Sequence, residues 1–139
     1  MKNNYILIDY ENVQPNKLAI LNNRNFKVII FVGANQIKLP FELVTSMQAL
    51  GDNAKYIKIE GSGPNALDFH IAFYIGKISE QDSNAYFHII SKDTGFDPLI
   101  KHLRDHKTLI QRVADITEIT SLQTVSKQSP EERINTIIA

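Results

Sequence analysis

The chain has 139 residues, enough for one domain that buries about 70% of its unfolded surface. It contains no cysteine, which excludes a disulfide framework and a thiolate metal site. Lys and Arg total 15 against 15 for Asp and Glu, which weighs against an obligate high-affinity nucleic-acid binder but not against an enzyme whose acidic site cancels a basic rim.

Tyr5 to Ile8 is continuously apolar and reads as a first strand buried on both faces, closing on Asp9-Tyr10-Glu11-Asn12. Met1 to Asn4 leaves no room for a signal peptide, and no apolar run nears the ~20 residues of a membrane span. A cytoplasmic protein is the expectation. Asn16 is placed to cap a short helix with Leu18, Ile20 and Leu21 inward, and Asn22 to Asn25 reads as a polar turn. Lys27 to Val32 is a second buried strand, stopped by Gly33. Pro40 suits the first position of a helix in which Phe41, Leu43, Val44, Met47 and Leu50 face the core, ended by Gly51.

Ala54 to Ile59 partly alternates and reads as a shorter strand nearer an edge. After the turn Gly61-Ser62-Gly63-Pro64-Asn65, residues Ala66 to Ile78 are apolar on nearly all sides, predicting a helix with a broad buried face and Asp68 in its first turn. Tyr86 to Ile90 is a fourth strand, and Phe96, Leu99, Ile100 and Leu103 follow the i, i+3, i+4, i+7 spacing of a helix. Thr108 to Val113 is a fifth strand. Strands alternating with helices predict a three-layer α/β/α sandwich around a five-stranded parallel sheet over residues 1–116. Residues 117–139 read as a polar linker and a short C-terminal helix. There, Ser129-Pro130-Glu131-Glu132 has the features of a helix start, and Ile134, Ile137 and Ile138 form one stripe. Such a stripe asks for cover from the domain itself, a second copy or a further domain.

The chemistry concentrates in acids. Asp9 ends the first strand, Asp68 opens a helix, and Asp93 and Asp97 bracket the turn after the fourth strand, with Glu11 and Asn12 beside the first. In a doubly wound sheet, strands one and four are commonly neighbours where the winding reverses, and ligands sit beyond their carboxyl ends. Carboxylates ~4 Å apart repel by roughly 4 kcal/mol at an effective dielectric near 20, so such a cluster needs a counter-ion, a shared proton or a raised pKa. Hard oxygen donors of this kind suit Mg²⁺ or Mn²⁺. Each acid also has a plainer reading: Asp68 and Asp97 as helix-start residues, Asn12 as a turn former, Glu11 as a solvated side chain. Ser91 is placed to bond a phosphate or a carboxylate, and His102 and His106 lack a third ligand and read as surface residues. Lys101, Arg104, Lys107 and Arg112 follow the acidic turn as either backbone-phosphate contacts or a solvated helix face.

Two motifs and a helix acid, Asp68 within Asn65-Ala66-Leu67-Asp68-Phe69, carry a family resemblance. Asp9-Tyr10-Glu11-Asn12 after strand one and Ser91-Lys92-Asp93-Thr94-Gly95-Phe96-Asp97-Pro98-Leu99 after strand four resemble those of the PIN-like nucleases, in particular the NYN branch. The resemblance covers about residues 5 to 113. It implies a metal-dependent ribonuclease using Mg²⁺ or Mn²⁺ on RNA, most simply single-stranded. Asp9, Asp68 and Asp93 would be ligands, Asn12 would orient Asp9 or substrate, and Ser91, Lys92, Thr94 and Glu11 would lie near substrate. Two positions depart from the pattern. Gly95 stands where a second aspartate is common, leaving Asp97 to serve, and Tyr74 and Ile75 stand where many members carry a further helix acid. A non-catalytic RNA- or protein-binding module is the second reading. A phosphatase of the haloacid dehalogenase type is the third, imitated by Asp9 and Glu11 with Asp93 and Asp97.

Overall fold

The computed structural model describes residues 2–15, 17–21 and 26–119. Five strands, β1 (Asn3–Asp9), β2 (Phe26–Val32), β3 (Ala54–Lys58), β4 (Ala85–Ile90) and β5 (Leu109–Val113), form one sheet in the order β3-β2-β1-β4-β5. Every pairing is parallel. The predicted five-stranded parallel sheet between helices is therefore present. β1 lies between β2 and β4, so the winding reverses at β1, and Asp9 and Ser91 sit side by side just beyond the reversal.

The strand sequences explain the layers. Side chains alternate across a strand, so Ile6 and Ile8 enter one apolar cluster while Tyr5 and Leu7 enter the other. Both faces of β1 are dry, which is why the run reads as continuously apolar. On the first face lie a 3₁₀ turn (Leu18–Leu21), α1 (Phe41–Ala49) and a second 3₁₀ turn at Ile116–Glu118. On the other face lie α2 (Ala66–Gln81) and α3 (Asp97–Asp105). β3 and β5 are the edges, as the weaker pattern of residues 54–59 suggests.

Several expectations change. Pro40 precedes α1 in an extended conformation (φ −60°, ψ 140°) rather than occupying its first turn. Phe41 is 84% exposed, and Ile20 also lies outside the core. The broad buried face expected for α2 narrows to Leu67, Ile71, Ile75 and Ile78, leaving Phe69 and Phe73 in solvent. Core packing runs past residue 116, because Ile119 is fully buried with Ile116. The cap expected at Asn16, the turn at Asn22 to Asn25 and the helix from Ser129 to Ala139 lie outside the described residues. Among the described residues no helix is long and apolar enough to cross a membrane.

Candidate functional site

The turn after β4 is built by its own polar side chains. Asp93 caps a single 3₁₀ turn (Thr94–Phe96), its Oδ1 accepting from the Gly95 amide at 2.8 Å. A Cβ on residue 95 would stand 2.9 Å from that oxygen. Glycine here thus gives the Asp93 carboxylate room to fold back over the turn, so the departure at this position has a local cause. Phe96 is buried beneath the turn and anchors it to the cluster under α2.

Ser91 joins the two halves of the site. It is fully buried, its Oγ donates to Asp9 Oδ2 at 2.8 Å, and the same Oγ accepts from the Asp93 amide at 3.0 Å. Of the two partners open to Ser91, the carboxylate is the one it meets, and burial removes it from direct contact with substrate. Asp9 itself is only 3% exposed. Burial raises its pKa, the Ser91 hydrogen bond opposes the rise, and the charges of Glu11 and Asp93 add to it. Asn12 assists Asp9 through its backbone N–H, while its side chain is exposed.

Asp68 projects from the first turn of α2 toward the same point. Burial is the largest cause pushing its pKa up to about 6, followed by the charges of Asp93 and Asp9, a hydrogen bond to Asp93 and the charge of Glu11. Glu11 reaches in from the β1 end, its carboxylate filling the space over Gly33 that a Cβ would need. The glycine that ends β2 is thus the floor under an acid, a role with no local sequence signal. Asp9, Glu11, Asp68 and Asp93 therefore form one electrostatic unit at the sheet reversal, and the Arg112 guanidinium acts on it through the charge of Asp93.

Asp97 does not join them. Arg112 Nε meets its Oδ1 at 2.8 Å and Nη2 meets its Oδ2 at 3.3 Å, while Nη1 donates to the Ser91 carbonyl at 3.1 Å. This pairing holds the Asp97 pKa below the usual carboxylate range. Both Asp97 oxygens are engaged, so its expected metal-ligand role gives way to fastening the start of α3 to β5. Nothing local announces the pairing, because the partners lie fifteen residues apart. Lys92 and Thr94 stand exposed on the rim of the turn. The helix acid absent from the sequence has no substitute at its position: Ile75 is core, and the Tyr74 ring packs edge-on against Phe31 at 5.7 Å.

Clustered carboxylates that favour one another's protonation are a donor set suited to a hard divalent cation. Among the described residues, however, no three His, Asp or Glu side chains stand as a ready-made ligand group.

Nothing among curated proteins matches the chain, and nothing among solved structures does. A family model described as the PIN domain matches residues 3–113, from the first residue of β1 to the last of β5. With that match over most of its length, a fully parallel sheet reversed at β1, and acids gathered at the reversal, the chain belongs to the PIN domain family.

Proposed function

We propose that this protein hydrolyses phosphodiester bonds of single-stranded RNA with the help of a bound Mg²⁺ or Mn²⁺. The observation carrying the reading is the electrostatic coupling of Asp9, Asp68 and Asp93 at the sheet reversal. PIN domains are in general a metal-dependent nuclease fold, and the narrower NYN assignment rests on the Asp9–Asn12 and Ser91–Leu99 motifs. Asp9, Asp68 and Asp93 would hold the ion, with Glu11 in reach of its water shell. When bound, such an ion polarises a phosphoryl oxygen and activates water.

The chain's own contribution is positional. Ser91 keeps Asp9 oriented, the Gly95 amide keeps Asp93 over the turn, and the space above Gly33 admits Glu11. Burial and the neighbouring acids push the Asp68 pKa up to about 6, so it holds its proton more tightly than a free carboxylate.

The test is cleavage of labelled single-stranded RNA with Mn²⁺, beside EDTA and Asp93→Asn controls. Cleavage abolished in both controls is expected. A folded chain that cuts nothing under any metal would sink the reading. It would favour the binding module, which gains support from Ile75 at the helix-acid position.

A further inference from the structure

One side of α3 is a stripe of residues spaced i, i+3, i+4, i+7 and i+8: Asp97, Ile100, Lys101, Arg104 and Asp105. With Arg112 of β5 they line a groove of about 390 Å³. Ile100 is its buried floor. From Asp97 to Asp105 the helix rises about 12 Å. The groove starts at the Asp97–Arg112 pair, beside the turn that carries Asp93, and runs away from the acidic cluster.

Its charges do not cancel. Arg112 is taken by Asp97 at 2.8 Å and Lys101 meets Asp105 at 3.2 Å. Among the described residues Arg104 is the groove cation outside these two ion pairs, its charge acting on Asp97 without a salt bridge. Its Nε donates to the Ile110 carbonyl at 2.9 Å, which fixes the guanidinium, and among the described residues nothing accepts from its two Nη nitrogens. A planar donor pair pinned at one edge matches a tetrahedral oxyanion, which such forks bind through charge-assisted bonds. The Lys101–Asp105 pair is exposed, with side chains 79% and 63% accessible, so it exchanges partners at little cost.

The need for such a site follows from the acids. Four carboxylates at the sheet reversal repel a polyanion, and the chain as a whole carries no net positive charge to offset them. Retention of a nucleic acid requires cations concentrated next to the cluster. We infer that the groove between α3 and β5 is a phosphate-binding subsite, with Arg104 as its main donor and Lys101 as its second cation. It holds a phosphate of the strand at a distance from the phosphodiester that lies over Asp9 and Asp93. The inference rests on the nuclease reading for the identity of that strand.

The experiment is fluorescence anisotropy of a labelled single-stranded RNA in EDTA, titrated with the full chain across a salt series. Arg104→Ala is expected to weaken binding about tenfold and lower the salt slope by about one ion, with Arg104→Lys recovering part of both. Comparing RNA ending in a 5′-phosphate with RNA ending in a hydroxyl identifies the source. Equal losses assign an internal phosphodiester, and a loss confined to the phosphorylated RNA assigns a terminal phosphate. Thermal melts check folding. Should Arg104→Ala melt early, Lys101→Ala, an exposed position, carries the same direction of effect. Unchanged affinity and slope in folded variants overturn the subsite, even if wild-type chain cleaves RNA. Arg104-dependent binding of RNA or of inorganic phosphate, without cleavage under any metal, keeps the subsite and overturns the nuclease.

Discussion

Asp68 and His88 are displaced from their ordinary protonation in ways that pull stability in opposite directions. Asp68 titrates at about 6 in the folded chain against 3.8 when unperturbed. Between those values the folded state binds the proton more tightly. The neutral acid is therefore favourable at low pH, and its advantage is lost as pH rises through about 6. In metal-free protein at pH 8, Asp68→Asn should raise the melting temperature by about 3 °C, the response of a domain this size to ~1 kcal/mol. Solvent screening of a half-buried group sets that modest scale. At pH 4.5 the gain should shrink. Added Mn²⁺ should raise the melting temperature of wild type but not of the variant. A variant melting below wild type at pH 8 in EDTA would refute the assignment.

His88 lies on the opposite sheet face from α2 and is 1% exposed. Its Nε2 faces Asn4 Oδ1 at 2.9 Å and its Nδ1 faces Gln111 Nε2 at 2.8 Å. An amide oxygen only accepts and an amide nitrogen only donates, so the ring is the neutral Nε2–H tautomer. Burial lowers its pKa from 6.5 to about 4. The unfolded chain takes up the proton first, so stability falls as pH drops from about 6.5 toward about 4, by about 3 kcal/mol over the whole window. Urea midpoints of wild type and His88→Gln, measured from pH 7 to 4.5, should converge at the acid end. Parallel curves would show that His88 does not titrate there. No motif marks this histidine, because its two partners come from strands 84 and 23 residues away.

At the scale of elements, α2 shows what periodicity reveals and where it stops. Apolar residues around most of its circumference left the buried side undefined, and only the sheet beneath it selects Leu67, Ile71, Ile75 and Ile78. Ile75→Ala should therefore cost about 2–4 kcal/mol in urea unfolding, from lost burial and the cavity left behind. Phe73→Ala, on a side chain 61% exposed, should change stability by less than about 0.5 kcal/mol. Equal losses at both positions would return the helix to the broad buried face its composition suggests. The turn after β4 was more legible. Ser91, Asp93 and Gly95 are local partners, so their sequence order already contains the geometry that ties them together.

At the scale of the molecule, the sequence alone carried the strand-helix alternation, the double-sided burial of β1, β2 and β4, the edge character of β3 and the acids at strand and helix ends. These follow from properties each segment has by itself: side-chain period, β propensity and turn chemistry. The tertiary structure alone decided which acids meet and which charges cancel. Asp9, Glu11, Asp68 and Asp93 feel one another's charge because β1 and β4 pair at the sheet reversal and α2 starts beside them. Asp97, equally prominent in the sequence, is drawn off by an arginine on β5. The reason is one of range. A carboxylate's partner is chosen by distance in space, and the chain sets that distance only after the sheet has closed.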